Sequence, residues 1–94
     1  MKFQNVLIKS ISPLEQGVSQ NGNQWQKMSV VVEDDSHEYG DSAQVVFIND
    51  RVRLLDGRKV GDHISMFARL QVHTYTDQQG REHVFNEVRG ISIS

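Results

Sequence analysis

One predicted strand near the middle of the chain carries a row of side chains that could bind a ligand: Phe67, Arg69, His73 and Tyr75. Side chains two residues apart lie on the same face of an extended strand, so two aromatic rings, a guanidinium and an imidazole share one surface. Aromatic rings stack on unpaired bases and cations contact phosphates. The row is therefore typical of a surface that binds single-stranded nucleic acid.

A second predicted strand adds Trp25 and Lys27 on one face. An exposed indole would provide a stacking platform, and the ammonium group would contact a phosphate with a strength that falls as salt rises. The alternative is that Trp25 covers an end of the core or lies in a subunit interface, where aromatic residues are enriched.

The segment Asp77–Gly80 predicts a turn that joins the strand over 62–76 to a last strand over 82–93. This hairpin would add residues to the same face. The candidate nucleic-acid-binding residues are Trp25, Lys27, Phe67, Arg69, His73, Tyr75, Arg81, Phe85 and Arg89. A subunit interface, or simple cross-strand pairing of aromatic side chains, explains the hairpin residues equally well.

Alternating apolar residues and turn residues predict the elements that position these side chains. Five strands are expected over residues 3–12, 24–33, 42–48, 62–76 and 82–93, and a flexible loop over 14–23. In the fourth strand the face that contains Ile64, Met66, Ala68, Leu70 and Val72 is expected to form the core. A β-bulge is expected near Arg89 and Gly90, because the apolar phase of the last strand changes there.

Between the third and fourth strands, Asn49 or Asp50 can cap a short helix that buries Val52, Leu54 and Leu55 and stops at Gly57. Five strands with one short helix at this position predict an all-β, five-stranded Greek-key OB-fold barrel, in a single domain over residues 1–94. An SH3-like barrel is the main alternative. It lacks a helix at this point, so the segment 49–56 discriminates the two.

Composition places the 94-residue chain among ordinary globular proteins, with 37% hydrophobic and 23% charged residues. Its formal net charge of −2 argues against a strongly basic surface overall. Five of the twelve acidic residues, however, lie in the segment 33–41, and outside it ten basic residues face seven acidic ones, a balance of +3. This segregation allows one basic surface on an acidic protein.

Several kinds of chemistry have little support in the sequence. There is no cysteine, and the four histidines show no zinc-ligand spacing, so neither a metal site nor another cofactor is expected. No nucleophile elbow or phosphate-binding glycine loop is present, which predicts a protein without enzymatic activity. Arg51, Arg53, Arg58 and Lys59 are interpreted as a solvated helix face. Without a membrane-length apolar run or a signal peptide, we expect a cytoplasmic location.

Several short motifs together resemble a family of short, uncharacterised bacterial OB domains, similar in outline to single-stranded DNA-binding and primosomal OB proteins. The motifs are Gly22-Asn23-Gln24-Trp25-Gln26-Lys27, Asn49-Asp50-Arg51-Val52, Val60-Gly61-Asp62, and Tyr75 before Gly80. The resemblance covers nearly the whole chain. It implies an OB barrel, frequent dimerisation or higher assembly, and single-strand binding. The chain departs from the family pattern in its acidic segment 33–41, its extended turn 77–82, and Val84 where an aromatic residue is common.

The hypothesis from the sequence is a non-enzymatic OB-fold protein that binds single-stranded DNA, or RNA, on an aromatic and basic face. We also expect a homodimer or a higher homo-oligomer, since a small barrel leaves strand edges that a second copy can cover. The alternative function is a protein–protein assembly or adaptor module in which the aromatic face is buried against another subunit.

Overall fold

The computed structural model describes residues 1–38 and 40–94; Tyr39, in the acidic segment, lies outside the described residues. The elements, in chain order, are β1 (Lys2–Ile11), β2 (Glu15–Val18), β3 (Gln24–Glu33), β4 (Ser42–Ile48), a 3-10 helix (Asn49–Leu55), β5 (His63–Thr76) and β6 (Glu82–Ile93). The strand order is β1-β5-β6-β4-β3-β2, and an additional pairing of β1 with β3 closes the sheet. This is the predicted OB-fold barrel, with the helix between its third and fourth long strands.

Strand β1 closes the barrel because it is shared between two neighbours. Its first half pairs with β5, where Val6 lies opposite Ile64, and its second half pairs with β3, where Ile8 lies opposite Val32. Both pairings contain a register shift, which bends the strand between its two partners. The only parallel pairing among the described strands joins β4 to β6.

Alternate residues of these strands point inward and form one core. Ile8, Val30, Val32, Val45, Phe47 and Met66 are its most completely buried members. The 3-10 helix covers one end of this core with Val52 and Leu55, both buried, and with the half-buried Leu54. The helix was predicted at this position, and it ends before Gly57 as expected.

Two expectations about the strands and their faces are wrong. The segment 14–23 is not entirely a loop, because β2 forms within it and pairs with the first half of β3. A strand of four residues is too short to show a reliable period-2 pattern, which is why the sequence did not indicate it. The second error concerns the core face of β5, which ends at Ala68: Leu70 is 56% exposed and Val72 is 64% exposed.

Leu70 and Val72 are exposed because β5 and β6 are longer than the strands beside them. Pairing with β1 ends near Phe67, and pairing with β4 reaches only Val88 and Arg89, so residues 70–87 project as a two-stranded hairpin arm. The radius of gyration is 15.0 Å, whereas about 12.4 Å is expected for a compact chain of this length.

The predicted bulge is confirmed: Ala68 pairs with Gly90 and Phe67 with Ser92, so Ile91 is the extra residue. Beyond it, Ile93 packs against the core.

Candidate nucleic-acid interface

A row of four paired residues crosses the barrel on its outer face, the side of the sheet that points away from the core cluster, and one of the four, Val46, is buried. Ser29 on β3 lies opposite Val46 on β4, Val46 is in register with Arg89 on β6, and Arg89 lies opposite Arg69 on β5. Adjacent strands are about 4.8 Å apart, so the row spans roughly 14 Å. It connects the face that carries Trp25 and Lys27 with the face that carries the hairpin side chains.

Trp25 lies at one end of this outer face and is 39% exposed. It is paired with Gly17 on β2, and a Cβ atom at Gly17 would come within 2.9 Å of the indole ring. The absence of a side chain at Gly17 therefore lets the indole lie against the β2 backbone. Beside it is an open cavity of about 680 Å³, lined by Gln16, Gly17, Val18, Gln24, Trp25, Gln26, Asn49 and Asp50.

Asn49 fixes the polar side of this cavity. Its side-chain Oδ1 accepts a hydrogen bond from the Gln26 backbone N–H (3.1 Å), and its backbone oxygen accepts one from the Gln26 side-chain amide (3.3 Å). Asn49 adopts φ = 55°, a left-handed conformation that is uncommon for residues other than glycine. The two bonds to Gln26 hold the first residue of the 3-10 helix against β3.

A second depression, of about 570 Å³, continues the cavity across β4 and β6. The two share Asn49 and Asp50 as lining residues. The second is lined by Arg51 and Arg89, and the Arg51 guanidinium donates a hydrogen bond to the Ile91 backbone oxygen (3.3 Å). The two depressions adjoin at Asn49 and Asp50, and together we call them the groove: the indole lies in one part and two guanidinium groups lie in the other.

On the outer face of the hairpin arm, four rings form two cross-strand stacks. The His73 imidazole stacks on Phe85 with 5.3 Å between ring centroids, and Tyr75 stacks on His83 at 4.7 Å. An edge contact between Tyr75 and Phe85, at 6.2 Å, joins the two stacks. Because these rings already contact one another, each stack offers a rigid, partly exposed aromatic surface.

Each histidine in these stacks is also bonded to a carboxylate. His73 Nε2 is 3.1 Å from Glu87, which also accepts a hydrogen bond from Arg89. Burial alone raises the pKa of Glu87, but the bonds and charges of Arg89 and His73 outweigh it, and the pKa lies below its usual value. Bonds from His83 and from the Arg81 backbone N–H likewise lower the pKa of Asp77. Both carboxylates are ionised at neutral pH and offset part of the positive charge nearby.

The predicted site residues do not form one compact patch. Trp25 and Lys27 lie at the start of β3, and His73, Tyr75 and Phe85 lie beyond the end of the barrel on the arm. Since β3 and β5 run in the same direction, the indole and the His73 stack are separated by roughly 30 Å.

The other predicted residues lie between or beside these two ends. Arg69 and Arg89 occupy the central row, and Arg81 lies in the turn at the arm tip. Phe67 lies beside β1, where the Lys2 ammonium group is 5.6 Å from the ring centroid. The arrangement is thus a diagonal track with aromatic groups at both ends and cations in the middle.

Sequence reasoning missed several residues of this surface. Arg51 had been interpreted as part of a solvated helix face, yet it lines the groove. The predicted cap by Asn49 or Asp50 is wrong, because Ile48 is the N-cap residue and no side chain caps the helix. The Asn49 side chain instead bonds to Gln26. Glu87 was not predicted. The one available signal for Glu87 was its place on the same face of the last strand as Phe85 and Arg89, two residues from each.

Comparison with known proteins identifies the family. Residues 5–94 match the family model described as Domain of unknown function (DUF3127). The chain belongs to this family. No curated protein has a matching sequence.

The fold of this DUF3127 member is similar to those of two solved proteins. One is the second OB-fold domain of replication protein A from Methanococcus maripaludis, with a TM-score of 0.59 and 18% identity over 96% of this chain and 76% of that one. The other is the mitochondrial single-stranded DNA-binding protein Rim1 from S. cerevisiae, with a TM-score of 0.61 and 14% identity over 100% of this chain and 92% of that one. Identities this low establish a common fold.

Within residues 1–38 and 40–94 of the DUF3127 chain, no three histidine, aspartate or glutamate side chains come together as metal ligands. His73 and His83 share the outer face of the arm, while His63 lies at the start of β5. Each of these three histidines bonds to a single carboxylate. No helix in the same described residues is long and apolar enough to span a membrane.

Proposed function

We propose that this protein binds single-stranded DNA, with RNA as the alternative polymer, along the diagonal track on its outer face and without catalysing a reaction. The observation that supports the proposal is that the two depressions and the paired row adjoin one another along that track. The groove beside Trp25 leads past Asn49 and Asp50 to Arg89, and the paired row continues to Arg69 at the base of the arm. Spaced rings with cations between them are what a single strand requires, since bases stack while phosphates are neutralised.

The charge distribution around the barrel supports the same surface. Glu33 is paired with Lys9 at 3.2 Å, and Asp35 is bonded to His63 at 2.8 Å. Glu33 and His63 both lie opposite Leu7 of β1. Strand β1 closes the barrel on the side away from the β4–β6 pair. Glu33 and Asp35, two acids of the segment 33–41, therefore lie away from the row that contains Arg69 and Arg89. A phosphate backbone would therefore meet less repulsion on the track than the net charge of −2 implies.

Titration with a fluorescently labelled oligo(dT) at low and at moderate salt tests the proposal. We expect binding in the micromolar range or tighter at low salt and weaker binding as salt rises, because phosphate contacts release counterions. Absence of binding at low salt would contradict the proposal.

A matched pair of variants on β6 tests which face binds. Phe85 stacks on His73 on the outer face, while Val84 points to the opposite side of the same strand. Loss of one stacked base costs about 1–3 kcal/mol, so Phe85→Ala should weaken binding roughly tenfold. Val84→Ala removes a side chain of the same arm and should leave affinity unchanged. Equal effects of the two variants would contradict binding on the outer face.

We further propose that the protein forms a homodimer through the inner face of the arm, which we call the apolar arm face: Leu70, Val72, Thr74, Val84 and Asn86. None of these five side chains is charged, and Glu82, on the same face, lies at the tip of the arm opposite Thr76. Two copies could therefore pack the five side chains symmetrically without opposing like charges. A two-stranded hairpin is only marginally stable by itself in water, and packing against a second arm would remove Leu70, Val72 and Val84 from solvent. This arrangement leaves the aromatic outer faces free.

Light scattering over a concentration series tests the dimer. Val72→Glu places a charge in the centre of the apolar arm face and should give a monomer, while Gln78→Glu adds the same charge at the exposed turn and should leave the mass unchanged. If Phe85→Ala, and not Val72→Glu, dissociated the dimer, the aromatic face would be the subunit interface, as the alternative assembly function requires.

A further inference from the structure

The cavity beside Trp25 differs in its chemistry from the rest of the track. Four of its lining residues carry side-chain amides, namely Gln16, Gln24, Gln26 and Asn49, and its single titratable lining group is the carboxylate of Asp50. Neither lysine nor arginine lines it. A phosphate group would be repelled by Asp50, whereas a neutral, flat ligand with hydrogen-bonding edges would fit beside the indole.

Many of these polar groups remain available for a ligand. In the described part of the chain, the Asp50 carboxylate and the Gln16 and Gln24 amides make no hydrogen bond to the protein. In the two hydrogen bonds between Asn49 and Gln26, each side chain uses one atom, which leaves the Asn49 amide N–H groups and the Gln26 side-chain oxygen free. The volume of about 680 Å³ lies in the range of small-molecule sites and accommodates one nucleotide.

We infer that this cavity takes one base of the bound strand and selects a base with an exocyclic amino group, cytosine above all, over thymine. The inference rests on the proposed function. The base would stack on Trp25, and its amino group would donate a hydrogen bond to the Asp50 carboxylate, while the neighbouring amides donate to its ring nitrogen and carbonyl oxygen. Acidic side chains accept from cytosine N4 in the same way in other nucleic-acid complexes.

Thymine is discriminated against by the same group. Its O4 atom is an acceptor and would face the carboxylate, whose oxygens are also acceptors. Both oxygens would lose their water without gaining a partner, and a site with unpaired polar groups rejects a ligand strongly. A single well-placed pair gives discrimination of roughly tenfold. Binding should thus be selective at one position and tolerant along the remainder of the track.

The experiment compares oligo(dC) with oligo(dT) of the same length, two pyrimidine polymers with weak self-stacking. The fluorescence of Trp25, the single tryptophan, serves as the reporter of the cavity. We expect oligo(dC) to bind about tenfold more tightly than oligo(dT). In Asp50→Asn the new amide can donate to thymine O4, so the ratio of the two affinities should fall to one or below.

Asp56→Asn is the matched control. Asp56 follows the same helix, is exposed and lines neither depression, so its substitution removes an equal charge and should leave the ratio unchanged. Because each ratio is measured within one variant, differences in folding or concentration cancel.

The outcomes separate this inference from the proposed function. If both polymers bind with equal affinity, or oligo(dT) binds more tightly, the base selectivity is wrong while single-strand binding stands. An unchanged ratio in Asp50→Asn also overturns the role of the carboxylate. If neither polymer binds at low salt, both the inference and the proposed function are wrong. A neutral oligosaccharide that quenches Trp25 while neither polymer does would assign the cavity to a sugar.

Discussion

The barrel and the hairpin arm are built from the same two strands but place equivalent residues in opposite environments. Met66 on β5 is 1% exposed, while Val72, six residues further on the same face, is 64% exposed. The alternation of apolar residues does not change between them. What changes is the number of neighbours, because β1 and β4 flank the first half of the hairpin and neither reaches the second. An apolar pattern therefore indicates which face is apolar, and the surrounding strands decide whether it is buried.

The largest expected effect on stability comes from a pair of side-chain truncations on this face of β5. Met66→Ala leaves a cavity in a fully packed core and should lower the free energy of unfolding by about 2–5 kcal/mol. Val72→Ala removes a side chain that is mostly in water, and we expect a change within about 0.5 kcal/mol. Urea denaturation of both variants at low protein concentration, where a dimer would be dissociated, provides the measurement. Comparable losses would mean that the arm is buried in the folded protein.

A second test concerns the bulge, where the hairpin leaves the barrel. A Cβ atom at Gly90 would overlap the ring of Phe47, which is completely buried. Gly90→Ala should therefore force the core to shift and cost about 1–3 kcal/mol. Thermal unfolding followed by circular dichroism measures this loss. Asn86→Ala, on the exposed part of the same strand, is the control and should leave the melting temperature nearly unchanged.

The third test compares two arginines that lie opposite each other at the base of the arm. Arg89 donates to Glu87, whereas Arg69 makes no ion pair among the residues that the structure describes. Arg69→Gln should reduce the salt dependence of oligonucleotide binding, the slope of log K against log salt, by about 1. Arg89→Gln should reduce it less, because its charge is already offset. Identical slopes for the wild type and Arg69→Gln would remove Arg69 from the phosphate contacts.

The smallest expected effect is the pH dependence of the arm. Because the folded state lowers the pKa of Glu87, this carboxylate contributes stability above its unfolded value of about 4.3, and the contribution disappears as the pH falls through the lower, folded value. Nearness to solvent keeps the effect small. Unfolding free energies of the wild type and Glu87→Gln, measured between pH 3 and 7, should converge at the acid end. A difference that stays constant over this range would contradict the linkage.

Much of the fold could be predicted from the sequence, because long alternating strands and a short helix carry strong local signals. The strands 24–33, 42–48 and 82–93 have the bounds that were expected. Strand β2 was missed because it is formed by its pairing with Gln24–Lys27, and its four residues show little alternation of their own. The exposure of Leu70 and Val72 was missed because the sequence does not show that β1 and β4 end before the arm begins.

The candidate site was predictable only in its residue types. Period-2 alternation correctly placed His73, Tyr75 and Phe85 on one face of the hairpin. The roughly 30 Å that separate them from Trp25 depend on the relative direction of β3 and β5, which a single sequence does not show. The groove between them was equally inaccessible, since it depends on Asn49 and Arg51 approaching strands distant in sequence.

The parallel ladder between β4 and β6 consists of two paired positions, fewer than either antiparallel ladder of β1. This seam between β4 and β6 is the shortest strand pairing in the closed barrel, so local opening should begin there. Backbone amides of both strands should therefore exchange with deuterium early. Arg89 and Val46 lie on this seam. A bound strand that crosses it would hold its two edges together and slow that exchange, which would make ligand occupancy visible in the protein backbone itself.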